Sequence, residues 1–348
     1  MKKVLIVCLL IILIIIAFIF IRIYNARGKQ EAPIKVNPID LDSVLEIPQY
    51  GDYFVAKPVK MLGYKEKIYI LDLKFHCILV FTEEGFSHTI GRFGLGPGEI
   101  TEMATSFRIF EDNLYILNRP DKIEILNLNG DYKRTIRLKY KETYFAPSDF
   151  EIVGNHIYIS LSIGETRVQK YDDEGNLVEN FIRGGNGISP YKYNIINPYG
   201  LHIDLESRRI VLFNRFNGDI EVFDLMDGTS ILSLKNYDSQ ISERITLIRK
   251  KINKHNSRND FKELQSIVMW QSALDENNSK MFIIPSQNTV DSSERKDILY
   301  IFDTKYGFLM KSFIRLGSFK QIIKNCCFLQ EKIAFMDYSF NLFIGGYK

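Results

Sequence analysis

Asn118-Arg119 and Asn214-Arg215 set the same two side chains at the same point of two similar segments, NLYILNRPDKIEIL and RIVLFNRFNGDIEV. A guanidinium presents five donors in a planar fork that matches carboxylates and phosphates, and a neighbouring carboxamide can both donate and accept. With Arg92 and Arg108 from other segments, four arginines are available to line a site for an anion or a carbohydrate carboxylate. The expected ligand-binding set is therefore Arg92, Arg108, Arg119, Arg215, Asn118 and Asn214. Asn and Asp at such points more often close turns by bonding to the backbone, a competing account of Asn118, Asn214 and their equivalents Asp72 and Asp337.

Other chemistry is sparse. The five histidines, His76, His88, His156, His202 and His255, fall in no common register, and only His202 with Asp204 offers a ligand pair for a divalent metal such as calcium. No GxSxG elbow, activated cysteine or paired-carboxylate spacing is present, so no catalytic residue is assigned and no cofactor is expected. Cys77, Cys326 and Cys327 match no zinc spacing and read as buried thiols.

The elements that must position these residues repeat along the chain: an apolar strand, a polar turn opened by Asp or Asn, a second apolar strand, then a Gly turn. KIYILDLKFHCILVFTEEG, NLYILNRPDKIEILNLNG and RIVLFNRFNGDIEVFDLMDG are the clearest copies. Such a unit cannot bury both of its faces alone, so copies must stack into a closed ring. The pattern predicts an all-β, six-bladed propeller of four-stranded blades over 43–348, strands A to D running outward from the channel. The last blade lacks its outer strand, and SVLEIP ahead of the first blade is free to supply it, closing the ring and leaving no central edge unpaired. First and last blades are then neighbours, which makes a bridge between Cys77 and one of the adjacent pair conceivable. Successive B strands begin 46, 43, 53, 71 and 52 residues apart, taking Ile68, Leu114, Ile157, Ile210, Met281 and Ile333 as markers. The long step holds Ile241, Ile245, Ile248 and Ile252 at helical spacing, so a helix inserted at 237–264 in blade 5 is expected. D-to-A and B-to-C connections share one face, where the insertion and the arginines are expected to form the working surface.

One junction between blades reads TIGRFGLGPGEI. Its G-x-G-P-G-E turn resembles that of a family of six-bladed β-propellers in exported proteins of Bacteroidetes-like bacteria, and is similar to NHL-type repeats, with RGGNG at 183–187 a fainter copy. The resemblance implies the fold. It implies little about activity, because one fold hosts many functions. The turn leads into a strand rather than a helix N-terminus, which excludes the dinucleotide-binding logic of glycine-rich loops. Propeller lactonases and NHL-type lyases hold a metal in the channel, so the resemblance also keeps that activity open.

Residues 1–24 differ in kind. Lys2 and Lys3 precede an unbroken apolar run, 4–21, that Arg22 closes; about 18 apolar residues suffice to span a bilayer as a helix. The segment reads as an uncleaved signal anchor, with a cleaved signal peptide as the alternative, and 25–42 as a linker. Of 45 Lys and Arg, Lys2, Lys3 and Arg22 belong to this segment, leaving 42 against 42 Asp and Glu. A neutral exported part lacks the basic footprint of a nucleic-acid binder. The expectation is an exported, membrane-anchored binding or scaffold module facing the periplasm or the outside, with a protein, peptide or glycan ligand at a propeller face. The alternative is a metal-dependent lactonase or lyase.

Overall fold

A computed structural model describes residues 33–35, 39–40, 42–48, 54–118, 120–140, 145–162, 164–183, 199–215, 218–235, 271–275, 279–284, 298–315, 323–330, 332–337 and 339–346. The apolar run 4–21 and the insertion 237–264 lie outside the described residues.

The chain enters through β1 (Ile34–Lys35), β2 (Ile39–Asp40) and β3 (Asp42–Ile47). Blade 1 is β4 (Pro58–Tyr64), β5 (Lys67–Asp72), β6 (Cys77–Thr82) and β7 (Gly85–Ile90). Blade 2 is β8 (Ala104–Phe110), β9 (Asn113–Asn118), β10 (Lys122–Asn127) and β11 (Tyr132–Arg137). Blade 3 is β12 (Pro147–Val153), β13 (His156–Leu161), β14 (Thr166–Asp172) and β15 (Leu177–Arg183). Blade 4 follows as β16 (Tyr199–Asp204), β17 (Arg209–Asn214), β18 (Ile220–Asp224) and β19 (Ser230–Leu234), and blade 5 as β20 (Gln271–Asp275), β21 (Lys280–Ile284), β22 (Ile298–Asp303) and β23 (Leu309–Arg315). Blade 6 has β24 (Ile323–Leu329), β25 (Lys332–Asp337) and β26 (Leu342–Gly346), and takes β3 as its outer strand. The fold is the expected six-bladed propeller, closed by an N-terminal strand.

Second and third strands are sandwiched between neighbouring blades, so both faces must be apolar; β5 and β17 are buried from their second residue to their last. Outer strands meet solvent and lose this pattern, as the largely exposed β11 shows. The core is accordingly a series of layers between blades. One of them joins Ile70 and Leu79 of blade 1 to Ala334, Met336 and Ile344 of blade 6. In that layer the inner strands of the two blades come so close that a Cβ at Gly63 would collide with the Phe328 carbonyl.

Cys77 and Cys327 share this layer, and Cys326 occupies the next one. All three are free thiols. Burial pushes Cys77, aided by nearby Asp72, and Cys326 up to about 12, and Cys327 well above the usual thiol range. Burial thus keeps all three in the thiol form near neutral pH.

The entering segment does more than complete blade 6. β3 runs antiparallel to β26, with Ile47 opposite Leu342 and Leu45 opposite Ile344. Within the stretch read as a linker, β1 and β2 pair in parallel with β23 of blade 5. The N-terminal segment thus spans the outer edges of two blades.

Candidate functional site

The inner strands wall the channel, and the register of each with its neighbour defines common levels around it. Opposite the penultimate residue of the second strand stand Lys60, Ser106, Asp149, Gly200, Ser272 and Asn325 in blades 1 to 6. All are polar or lack a side chain. In blades 1, 2, 3 and 6 a register shift immediately precedes this residue. A bulge re-aims the side chain that follows it, so one local device repeated four times supplies most of the polar ring.

Asp149 is the centre of that ring and is fully buried. Lys60 Nζ donates to its two oxygens at 3.1 and 3.0 Å, Arg108 Nη2 lies 3.1 Å from Oδ1, and Arg215 Nη2 lies 3.1 Å from Oδ2. Ser106 Oγ donates to Oδ1 at 2.5 Å, and the Phe150 and Leu201 amides donate at 3.0 and 3.3 Å. Arg108 also reaches Glu151 at 2.8 Å and donates to the Phe107 and Leu201 carbonyls at 2.9 and 3.1 Å. Arg215 arrives from the second-to-third strand turn of blade 4 across Gly200, where a Cβ would stand 3.4 Å from its Nε. That Nε is buried without a hydrogen-bond partner. Four blades are cross-linked through one carboxylate.

Three cations surround two acids here. Burial opposes the charge on Asp149, but Arg108, Lys60 and Arg215 hold its carboxyl well below the usual range. Glu151 is raised, because burial outweighs the pull of Arg108. Burial, with repulsion from Lys60 and Arg108, keeps His202 neutral and far below its ordinary value. Lys60 shows the cost of burial in this cluster most directly: burial first, then Arg108, lower it to about 7 in spite of Asp149. An unfolded lysine keeps its proton to about 10.4. Between these values the unfolded chain binds more protons than the folded one, so stability rises with pH. From pH 7 to pH 9 the gain expected from Lys60 is about 2 kcal/mol. Urea denaturation of the wild type and of Lys60→Met at both pH values checks this, and the rise should be missing from the variant.

Two residues further along the inner strands, the channel divides. Arg108, Glu151 and His202 stand at one level in blades 2 to 4, whereas Leu62, Leu274 and Cys327 stand there in blades 1, 5 and 6. His202 Nε2 is 2.9 Å from Ser272 Oγ. A cavity of about 440 Å³ extends from Lys60 past this level to Tyr64, Phe110, Leu205 and Gln330, at the first-to-second strand turns. One wall is ionic and the other apolar.

Of the residues expected to bind ligand, Arg108 and Arg215 converge in the channel, and Arg92 does not join them. Its side chain is largely exposed and lies 3.0 Å from Glu99. Glu99 is the acid of the G-x-G-P-G-E turn: it accepts the Gly96 amide at 2.8 Å, and a Cβ at Gly94 would collide with its carboxylate. Gly98, with φ of 74°, donates its amide to buried Glu124 at 3.0 Å. The motif is a turn folded around carboxylates. Asn118 clamps this connection, accepting the Thr101 amide at 3.1 Å and donating to the Glu99 carbonyl at 2.9 Å, much as Asp72 accepts the Ala56 and Lys57 amides at 2.8 Å. Asn214 is buried, and its backbone closes the turn that carries Arg215. Arg119 lies outside the described residues. Lys60, Ser106, Asp149, Glu151 and Ser272 were not singled out in the sequence.

Among the described residues, the acids and the histidine of the channel are already engaged by other partners. Asp204 is taken by Thr304 and by the Ser207 amide, in contact with blade 5, and His202 is held by Ser272 among cations. Both oxygens of Asp149 are already met by Lys60, Arg108 and Arg215. No group of three or more His, Cys, Asp or Glu poised for a metal occurs among the described residues.

A six-bladed β-propeller family model, DUF5128, matches residues 52–288. The chain belongs to that family. Among solved structures, a DUF4221 protein of Bacteroides vulgatus is similar over 92% of this chain and 99% of its own, at 12% identity and a TM-score of 0.56. A Bacteroides fragilis protein described as exported matches 86% of this chain and 88% of its own, at 13% identity and a TM-score of 0.53. A Xanthomonas campestris gluconolactonase matches 91% and 97%, at 10% identity and a TM-score of 0.52. At such identities these likenesses speak for the fold alone. No curated protein matches the chain in sequence.

Proposed function

We propose that this DUF5128 propeller is an exported binding module, held to the membrane by its N-terminal apolar run, that captures a peptide, protein or glycan on the face carrying the fourth-to-first and second-to-third strand connections. One observation carries the reading: an exposed aromatic and apolar stripe lies on that face beside blades 1 and 2. Phe54 is 5.7 Å from Phe75 in an edge-on pair, and the next residue, His76, lies 4.5 Å from Phe93. Phe54, Phe93, Leu95 and Met103 are 49%, 61%, 80% and 51% exposed, and all four belong to connections on this face. Aromatic side chains offer rigid, amphipathic contact area at small entropic cost, and apolar exposure of this kind marks interaction surfaces. The lactonase reading has less support, because Asp149 and Glu151 are paired with the channel's own cations.

Arrays of oligosaccharides and peptides probed with the wild type and with the double variant Phe93→Ala, Leu95→Ala test the reading. Both residues are exposed, so stability should change by less than about 0.5 kcal/mol. Capture should fall at least tenfold. Equal capture by the variant, or metal-stimulated lactone opening by the wild type, would overturn it.

A further inference from the structure

The channel holds a second site, opening on the opposite face from the aromatic stripe. The cavity between Lys60 and the first-to-second strand turns is split lengthwise into an ionic wall, Arg108, Glu151 and His202, and an apolar wall, Leu62, Leu274 and Cys327. At its inner end, the printed ion pairs among the described residues set three cations, Lys60, Arg108 and Arg215, on two acids, Asp149 and Glu151. An uncompensated buried charge is costly, and a ligand that neutralises it gains what an exposed site could not give. Asp275, a further acid lining the cavity, stands one level nearer the mouth than Arg108.

We propose that this cavity binds an amphiphilic monocarboxylate, its carboxylate at Lys60 and Arg108 and its apolar body along the wall formed by blades 5, 6 and 1. The volume of about 440 Å³ falls within the range of small-molecule sites, in which a mostly apolar lining carries a few converging polar groups. Binding depends on the Lys60 proton, which is held among Asp149, Glu151, Arg108 and Arg215 and titrates near 7. A bound anion favours that proton, and by reciprocity losing the proton weakens binding.

The test is calorimetric titration of the full-length chain with octanoate, with octanamide as its neutral counterpart and benzoate to separate aliphatic from aromatic bodies. Saturable binding of octanoate or benzoate is expected, with octanamide at least tenfold weaker. Carboxylate affinity should fall roughly tenfold per unit once the pH exceeds about 7. Lys60→Met should lose at least tenfold in affinity, whereas Lys60→Arg, whose charge does not titrate in this range, should bind without that pH dependence. Equal binding of octanoate and octanamide, unchanged affinity in Lys60→Met, or no binding of either carboxylate would overturn the proposal, and none of these results bears on capture at the aromatic stripe.

Discussion

Asp149→Asn is expected to destabilise the propeller by about 3 to 5 kcal/mol, the usual cost of removing one partner from a buried ionic cluster. The substitution preserves shape, so the loss is electrostatic: Lys60, Arg108 and Arg215 would lose the carboxylate that all three share, with Glu151 left paired to Arg108. Lys60, already lowered to about 7 with Asp149 beside it, would give up its proton still more readily. Adding Lys60→Met to Asp149→Asn removes one of the stranded cations and should restore part of the stability. Urea midpoints of the two single variants and the double variant measure that coupling. Strictly additive losses, or a loss below about 1 kcal/mol in Asp149→Asn, would mean that the four blades are not held through this carboxylate.

The propeller was legible because its middle strands are packed on both faces. KIYILD, NLYILN and RIVLFN each carry four unbroken apolar residues between polar ends, and the strand–turn–strand unit recurs along the chain. The closing strand was legible by elimination, since blade 6 ends one strand short and SVLEIP had no other partner. β1 and β2 carried no such signal. A pairing of two residues leaves no periodicity to read, and only the docking of β3 on blade 6 brings them to the edge of blade 5.

The channel was half legible. Arg215 follows a strand end that repeats from blade to blade, and the repeat drew attention to it. Arg108 stood out by its side-chain type alone, whereas Asp149 and Lys60 lie inside short inner strands, PSDFEIV and PVKMLGY, where a polar residue looks like the solvent side of an ordinary strand. Ring closure buries that side, and the bulges displace the pattern by one residue, so polar positions line up only after each inner strand is paired with its neighbour. Arg92 stands apart from the channel for a different reason. Its type suited an anion site, but its place beside Glu99 in the junction turn gave it a partner within seven residues.

Removing residues 33–48 is expected to unfold the ring rather than trim it. β3 supplies the whole outer edge of blade 6, and without it β26, with its backbone donors and acceptors, becomes an unpaired edge. Ile47 would leave the layer between blades 6 and 1, where it is 2% exposed among Leu342, Ile344 and Phe81. Burying an isoleucine is worth about 2 to 5 kcal/mol on truncation to alanine, and each lost strand hydrogen bond about 1 kcal/mol. The pairing of β1 and β2 on blade 5 would go as well. Together these losses reach roughly 5 kcal/mol or more, comparable to the entire stability of many domains. Ile47→Ala alone should cost about 2 to 4 kcal/mol, which separates the side chain from the strand. Chains beginning at residue 33 and at residue 49 should then differ sharply in thermal midpoint and in resistance to proteolysis. If the shorter chain melts with the longer one, the ring is closed by contacts between the inner strands of blades 6 and 1, and the N-terminal strand is an ornament on its edge.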